Sequence, residues 1–146
     1  MISTAFDYSR ATSVEDAIAK LRSSDGAKLI AGGHSLIPLM KLRLSEPGLL
    51  IDIARIPGLS GIQRKGQAIE IGAGTVHHDV ATSELLRQAC PMVAEAAGDI
   101  GDQQVRNRGT LGGSLAHADP AAELPAALLA LAARVHVTGQ IGRAHV

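Results

Sequence analysis

Two short segments of the sequence combine adjacent glycines with hydroxyl side chains. The first loop is Ala31-Gly-Gly-His-Ser35, and the second loop is Gly109-Thr-Leu-Gly-Gly-Ser114. Glycine tolerates a positive φ and has no β-carbon, so successive amide N–H groups in such a segment can converge on one anion. A Ser or Thr hydroxyl beside them adds a donor of small volume. Together the two loops suit a pyrophosphate that is held from both sides.

Neither loop matches a standard nucleotide-binding motif. No Gly-Lys-Ser/Thr follows at the spacing of a P-loop, and neither loop contains the Gly-x-Gly-x-x-Gly of a dinucleotide-binding βαβ unit. The segment Gly72-Ala-Gly74-Thr75 begins in a similar way but has no third glycine, which is typical of a turn at a strand end. From the residues alone, an ordinary tight turn and an anion cradle both remain open for each loop.

The histidines are candidates for ligand contact. His34 lies inside the first loop, where it can donate a hydrogen bond to a phosphate. His77 and His78 would point about 100° apart on a helix, and no third ligand stands at a recognised spacing, so no metal site is expected. We expect one of this pair near the start of a helix beside the bound ligand, and the other facing solvent. For His117, ligand contact and a structural role both remain open.

Basic residues flank both loops, and one cysteine is present. Lys41 and Arg43 follow the first loop, while Arg106 and Arg108 lie at the second. Neutralisation of a pyrophosphate, an exposed charged face and contact with a partner protein are all compatible with these positions. Cys90 has no second cysteine to pair with and is expected to be a small apolar residue. No arrangement of nucleophile and base or of paired carboxylates stands out, so no catalytic residue is predicted.

The composition of the 146 residues excludes several classes of protein. Hydrophobic residues make up 46% and aromatic residues 1%, so aromatic platforms for single-stranded nucleic acid are excluded. Equal numbers of basic and acidic residues, 14 each, give no footprint for nucleic acid or acidic membranes. The N-terminus has no secretory pattern, and the longest apolar run, residues 124–133, is far short of the roughly 20 residues that span a bilayer. A cytoplasmic protein is expected.

The elements that must position the loops alternate between strands and helices. Thr12-Ser-Val-Glu15 and the overlapping Ser13-Val-Glu-Asp16 both predict the start of a first helix at Val14. Thr12 or Ser13 is its cap, Glu15 is the expected reciprocal capping-box partner, and the helix ends near Gly26. Further predicted helices are 36–44, one from residue 75, one capped by Thr82 or Ser83, one opened by Pro91, and 120–133. Predicted strands are 27–31, 49–53, a hairpin of 61–64 with 68–72, and 134–138.

Three further expectations concern organisation along the chain. Residues 98–110 are predicted to be irregular. The class is α+β or α/β, with one lobe before about residue 57 and a second after it. Residues 139–146 show no pattern, although the preceding strand needs a partner, so the chain is expected to stop within a domain.

Two long motifs in order give the sequence a family resemblance. The long motifs are Ala31-Gly-Gly-His-Ser-Leu-Ile-Pro-Leu-Met-Lys-Leu-Arg-Leu44 and Asp102-Gln-Gln-Val-Arg-Asn-Arg-Gly-Thr-Leu-Gly-Gly-Ser-Leu-Ala-His-Ala-Asp-Pro120. Two shorter segments precede them: Phe6-Asp-Tyr8 and Thr12-Ser-Val-Glu-Asp-Ala17. In these segments the chain resembles the FAD-binding medium subunits of molybdenum hydroxylases. The medium subunit of aerobic carbon monoxide dehydrogenase is the nearer match, and the FAD domain of xanthine dehydrogenase is a more distant one.

The resemblance implies an α+β fold and a set of cofactor contacts. The fold would be a two-lobed FAD-binding domain of the vanillyl-alcohol-oxidase (PCMH) type. Its lobes would be residues 1–57 and 58–146, with the second lobe incomplete and the family's C-terminal domain absent. The implied FAD-binding residues are Ala31, Gly32, Gly33, His34, Ser35 and Leu36 on one side of the pyrophosphate, Thr110, Leu111, Gly112, Gly113 and Ser114 on the other, and Glu123 as an acceptor for cofactor hydroxyls. Asp119 is a second carboxylate considered for that last role.

The resemblance also implies a function and partners. The chain would be an oxidoreductase subunit that passes electrons from a [2Fe–2S] small subunit to an external acceptor such as a quinone or NAD, with FAD as its cofactor. A large subunit carrying the molybdenum cofactor would oxidise the substrate. The alternative is a truncated, non-catalytic fragment that binds only a nucleotide or a partner subunit.

Overall fold

The structure, a computed structural model, describes residues 3–139 and 142–145. The strands within these residues are β1 (Asp7–Arg10), β2 (Lys28–Ile30), β3 (Leu49–Asp52), β4 (Ile62–Lys65), β5 (Ala68–Ile71), β6 (His136–Gly139) and β7 (Gly142–His145). The helices are α1 (Val14–Ser23), α2 (Leu36–Lys41), α3 (His77–Thr82), α4 (Glu84–Ala89), α5 (Pro91–Asp99), α6 (Gln103–Arg106), α7 (Leu111–His117) and α8 (Glu123–Ala130). The chain is therefore a mixed α+β protein.

A parallel sheet of β1, β3 and β2, in that order, supports the first loop. Leu50 of β3 aligns with Tyr8 of β1 and Lys28 of β2, so β3 is the central strand. Helix α1 connects β1 to β2, and both β2 and β3 were expected from the sequence. Strand β1 was missed, because three of its four residues are polar or charged and it shows no apolar alternation.

Helix α1 begins as predicted, but with a different reciprocal partner. The Ser13 hydroxyl accepts a hydrogen bond from the Asp16 amide at 3.1 Å, and the Asp16 carboxylate accepts one from the Thr12 amide at 2.9 Å. The prediction of Glu15 as that partner was wrong, since the cap is one residue further along and the third helical residue is then Asp16. Buried residues on α1, on β3 and in the adjoining loops form a first hydrophobic cluster: Ala11, Ala17, Ile51 and Ile56.

The β4–β5 hairpin and five helices enclose a second hydrophobic cluster. Its buried members are Val80, Leu86, Val93, Ala94, Ala97, Leu111 and Leu124. The hairpin was predicted, and Gly66 in its turn has φ +60°. The caps were predicted as well, since the Ser83 hydroxyl accepts from the Leu86 amide and Pro91 opens α5.

Three expectations were wrong in this half of the chain. Residues 103–106 form α6, whose cap is the Asp102 carboxylate, although the whole segment was expected to be irregular. The second loop is largely the first turn of α7 rather than an open loop. Strand β7 pairs antiparallel with β6, although its segment showed no pattern. Residues 140, 141 and 146 lie outside the described part of the chain.

Among the described residues, no helix is long and apolar enough to cross a membrane.

Candidate functional site: two glycine loops in contact

The first loop connects β2 to α2 and contains a position that favours glycine. Gly33 has φ +78°, and a β-carbon there would lie 2.7 Å from Cδ1 of Ile37. The Gly33 carbonyl accepts a hydrogen bond from the Ile37 amide at 2.9 Å, which starts the first turn of α2. Ser35 precedes the helix, and its side chain does not cap it. The glycine therefore sets the sharp change of direction from strand to helix.

The amides of residues 32–36 donate no hydrogen bond to another described residue. His34 and Ser35 are exposed, and the other three residues are half-buried. Unpaired backbone donors at the surface need water or a ligand as their acceptor. The first loop thus presents five consecutive N–H groups that an anion can use.

The second loop differs, because most of its amides are already paired. The Leu111 amide donates to the Thr75 carbonyl at 3.0 Å, and the Gly112 amide donates to the Ala73 carbonyl at 2.8 Å. The Gly113 amide donates to the Thr110 hydroxyl at 3.1 Å. The Ser114 amide donates to the Thr110 carbonyl at 3.0 Å, and the Gly109 amide donates to the Val105 carbonyl at 2.7 Å.

Within residues 109–114, only the Thr110 amide lacks a partner in the described chain. The expectation that successive amides of this loop converge on an anion is therefore not met, since a helix start consumes them. Gly112 instead allows close packing, since a β-carbon there would lie 2.6 Å from the β-carbon of Ala73. The second loop is therefore fixed by its own hydrogen bonds and can pack against a ligand, but it does not offer a series of free amides.

The two loops are in direct backbone contact. A β-carbon on Gly32 would overlap with the carbonyl oxygen of Arg108 and lie 2.9 Å from Cα of Gly109. A β-carbon on Gly109 would in turn lie 2.7 Å from Cδ2 and 2.8 Å from Nε2 of His77. We call the contact of Gly32 with Arg108 and Gly109 the loop junction. It brings the two predicted halves of the site together.

His77, the first residue of α3, is the buried ionisable group beside the junction. It is 5% exposed, and its Nδ1 has no hydrogen-bond partner. Burial lowers the pKa of His77, the charge of Glu123 raises it, and the charge of His34 lowers it further. Glu123, the first residue of α8, and His34 of the first loop are thus the charged groups that act on the pKa of His77.

The basic side chains near the loops have different roles. Arg106 donates from Nη1 to the Ile100 carbonyl at 2.9 Å and to the Gly101 carbonyl at 3.1 Å, so it stabilises the turn before α6. Arg108 is exposed, and its side chain makes no hydrogen bond or ion pair within the described residues. Of these two, Arg108 is the cation available to a ligand at the junction.

Other sequence candidates have local roles. The Asp119 carboxylate accepts from the Ala121 amide at 2.9 Å in the turn before α8. His117 is exposed in the last turn of α7, which ends at Ala118 with φ +53°. Cys90 is half-buried between α4 and α5 and packs on the second cluster. The described residues contain no group of three or more His, Cys, Asp or Glu that could hold a metal ion.

The segment of residues 72–76 was missed as part of the site. It supplies the Ala73 and Thr75 carbonyls that fix the second loop, and Val76 forms a bridge with Thr110. The Thr75 hydroxyl also bonds to the Gly61 amide and carbonyl. The glycines at 72 and 74 were the signal, because both allow close approach to the backbone of Leu59.

Comparison with known proteins identifies the family of this chain. Residues 4–146 match a family model described as the FAD binding domain in molybdopterin dehydrogenase. The 6-hydroxypseudooxynicotine dehydrogenase complex subunit alpha of Paenarthrobacter nicotinovorans is 54% identical over 137 residues, which cover 93% of this chain and 46% of that protein. The carbon monoxide dehydrogenase medium chain of Hydrogenophaga pseudoflava is 47% identical over 144 residues, which cover 98% of this chain and 50% of that protein.

Two solved structures of similar proteins match the fold over the whole of this chain. Carbon monoxide dehydrogenase from Hydrogenophaga pseudoflava, in a form that lacks the Mo-pyranopterin moiety of the molybdenum cofactor, matches with a TM-score of 0.96 and 48% identity, covering 100% of this chain and 51% of that one. Quinoline 2-oxidoreductase from Pseudomonas putida 86 matches with a TM-score of 0.96 and 35% identity, over the same shares. The chain spans about half the length of the curated relatives it matches.

The resemblance seen in the motifs is confirmed, and the fold matches part of the carbon monoxide dehydrogenase structure over the whole of this chain. The chain belongs to the family of FAD-binding domains found in molybdopterin dehydrogenases, the family of the medium subunits of molybdenum hydroxylases.

Proposed function

We propose that this chain binds FAD and serves as part of an electron-transfer subunit of a molybdenum hydroxylase. The single observation that carries the proposal is the row of five unpaired amides at residues 32–36, held against the second loop at the junction. Main-chain amides of this kind suit the doubly charged pyrophosphate of a dinucleotide without the help of a lysine. When bound, FAD supplies the electron-transfer chemistry of the subunit.

The contacts of the first loop follow from its free donors. The amides of Gly32, Gly33, His34, Ser35 and Leu36 would donate to pyrophosphate oxygens, and Ala31 would line their base. The exposed His34 and Ser35 side chains add two more donors. Gly32 and Gly33 leave room for the phosphate because they have no side chain.

The second loop would bound the opposite side of the pyrophosphate, with one free amide and a packed surface in place of a row of donors. The Thr110 amide is free in the described chain and can add one donor, while the Thr110 hydroxyl stays with the Gly113 amide. Leu111, Gly112 and Gly113 would form the packed surface, and the Ser114 hydroxyl would reach the chain of cofactor hydroxyls. Glu123 would accept hydrogen bonds from such hydroxyls.

We further propose that the protein is two-lobed, of the vanillyl-alcohol-oxidase (PCMH) type, with lobes at residues 1–57 and 58–146. The two hydrophobic clusters support this division, since the first is built from residues 11–59 and the second from residues 62–128. FAD would lie between the lobes, where Gly32 of the first meets Arg108 and Gly109 of the second. Its partners would be a [2Fe–2S] subunit as electron donor and a large subunit with the molybdenum cofactor, and the external acceptor would be a quinone or NAD.

A second candidate function is a nucleotide-binding fragment that does not hold the flavin ring. It is favoured by the lack of an aromatic side chain at the loops. The two aromatic residues are Phe6, which is exposed, and Tyr8 of β1, whose hydroxyl donates to the Asp52 carboxylate on the central strand β3. Stacking on the ring would then have to come from residues outside this chain.

Titration of the whole chain with FAD and with ADP separates the two functions. The proposed function predicts FAD binding that is clearly tighter than ADP binding, with flavin absorbance near 450 nm retained after removal of free FAD and lost on reduction. Equal, weak binding of ADP and FAD would indicate the fragment. A folded chain that retains no flavin absorbance would contradict the proposal.

A further inference from the structure

His77 lies where α3 meets the second loop. Its amide donates to the Gly109 carbonyl at 2.9 Å, and its ring edge occupies the space that a side chain at 109 would need. The ring is buried, so its position is fixed by the backbone around it. Gly109 and the His77 ring therefore form one closely packed unit.

That unit is continuous with the first loop. The same Gly109 contributes its Cα to the contact with Gly32 at the loop junction. Close contacts therefore run from the His77 ring through Gly109 to Gly32 of the first loop.

The Nδ1 atom of His77 makes the neutral ring the favoured form. It is buried and has no partner among the described residues, so an N–H placed there by protonation would find no acceptor. Burial lowers the pKa of His77, and the positive charge of His34 adds to this, while the carboxylate of Glu123 opposes it.

Other charged groups stand on the elements around the ring. Helices α4, α5 and α6 pack near or against α3, yet within the described chain the charges that act on His77 are those of Glu123 and His34. The charged or titratable residues on α3 itself and on those three helices are His78, Asp79, Glu84, Arg87, Glu95, Asp99 and Arg106.

We infer that His77 is a positioning residue of the dinucleotide site, whose neutral ring holds Gly109 against Gly32 and so keeps the free amides of the first loop in place. The inference rests on the proposed FAD site. Protonation of the buried ring would push it away from its contact and loosen the junction. Acid would therefore weaken FAD binding, whereas a histidine that acted only through its charge on phosphate would make binding tighter in acid.

The test is the pH dependence of the FAD dissociation constant, measured between pH 8 and 5.5 by quenching of flavin fluorescence. It compares the whole chain with His77→Gln and with His78→Gln, which is the matched control on the neighbouring, half-buried residue. His34 and Glu123 remain in all three proteins. A difference in how steeply the FAD dissociation constant depends on pH between the unmodified chain and His77→Gln therefore reports on His77.

We expect the dissociation constant of the unmodified chain to rise as the pH falls through the pKa of His77, which burial holds below its ordinary value, with a limiting slope of about tenfold per pH unit. His77→Gln should bind FAD roughly three- to tenfold more weakly at pH 8 and show a flatter profile. His78→Gln should follow the unmodified chain. A His77→Gln profile as steep as that of the unmodified chain, or tighter binding in acid, would overturn the inference.

A second readout works without FAD. In the NMR spectrum of the 15N-labelled chain, His77→Gln should shift the amide signals of Gly32 and Gly33, and His78→Gln should leave them in place. If the unmodified chain binds no FAD at any pH, the proposed function fails, and this spectrum decides whether His77 holds the junction. Unmoved glycine signals in His77→Gln would show that it does not.

Discussion

Gly32 lies against the carbonyl of Arg108 so closely that no side chain fits between them. Gly32 belongs to the first loop, and Arg108 immediately precedes the second loop, which is far from the first in the sequence. Their contact determines the nature of the site, because it joins five free amides on one side to a rigid helix start on the other. The function of Gly32 is thus to leave space for the backbone of Arg108 and Gly109.

Gly32→Ala should therefore separate the loops. Because the added β-carbon meets backbone atoms that cannot rotate away, we expect a loss of about 1–3 kcal/mol in the free energy of unfolding. FAD affinity should fall at least roughly tenfold, the effect of about 1.4 kcal/mol in binding. Urea unfolding and FAD titration measure the two effects.

The control for this variant is Gly48→Ala. A β-carbon at Gly48 has nothing within 4 Å, so both properties should stay close to those of the unmodified chain. If Gly32→Ala and Gly48→Ala behave alike, the close contact at the junction does not exist in solution.

Gly109→Ala and His77→Ser should be energetically coupled. The alanine β-carbon would meet the His77 ring at 2.7–2.8 Å, so the single substitution should cost about 1–3 kcal/mol of stability. In a chain that already carries His77→Ser the ring is absent, and the same substitution should cost at least about 1 kcal/mol less. The remaining cost comes from the Val105 carbonyl at 3.3 Å. Additive effects in a double-mutant cycle would show that ring and glycine do not touch.

Thr110 and Ser114 should respond differently to loss of their hydroxyls. Thr110 caps α7, so Thr110→Val should lower the free energy of unfolding by about 1 kcal/mol, while Thr110→Ser keeps the cap. Ser114→Ala should change stability by less than about 0.5 kcal/mol and weaken FAD binding. Thermal unfolding and FAD titration of the three variants give the comparison. If Ser114→Ala is destabilised, or if Thr110→Val is as stable as the unmodified chain, the assignment of Thr110 to the helix cap and of Ser114 to FAD binding is contradicted.

The acid stability of the parallel sheet should depend on Asp52. Burial raises the pKa of this carboxyl, but hydrogen bonds from the Tyr8 hydroxyl and the Ala54 amide and the charges of Arg10 and Arg55 outweigh it and hold the pKa below its ordinary value. The ionised carboxylate is thus favoured in the folded state. Its contribution to stability is fully present above the ordinary pKa of about 3.9 and is lost as the pH falls through the lower folded value.

Tyr8→Phe removes the hydroxyl that Asp52 accepts from. The free energy of unfolding at pH 6 should fall by about 0.5–1 kcal/mol, a modest loss because Tyr8 is half-exposed. The difference between the two proteins should narrow as the pH falls below the ordinary carboxyl value and through the lower folded pKa of Asp52. Urea unfolding at pH 6 and at pH 3 checks this, and a difference that is the same at both would show that the hydroxyl does not act through the ionised carboxylate.

Local signals in the sequence predicted much of the fold. The hairpin turn at Gly66, the cap at Ser83 and the helix start at Pro91 each depend on a few neighbouring residues, and each was predicted. The residue types of the first loop likewise predicted a segment with free amides. These features are set by backbone preferences that the chain carries locally.

Long-range contacts account for what the sequence did not predict. The amides of Leu111 and Gly112 are paired because residues 73–75 return to the same place, which no local pattern reveals. The burial of His77 against Gly109 likewise depends on how α3 packs on the second cluster. Strand β1 forms because its polar residues pair with the apolar strand β3, and not because of its own alternation.

The most direct test is an NMR titration of the 15N-labelled chain with FAD. The account predicts large shifts for the amide signals of residues 32–36, whose donors are free, and smaller shifts for Leu111, Gly112 and Gly113, whose donors are bonded to Thr75, Ala73 and Thr110. Bound FAD that leaves the signals of residues 32–36 unchanged would contradict it.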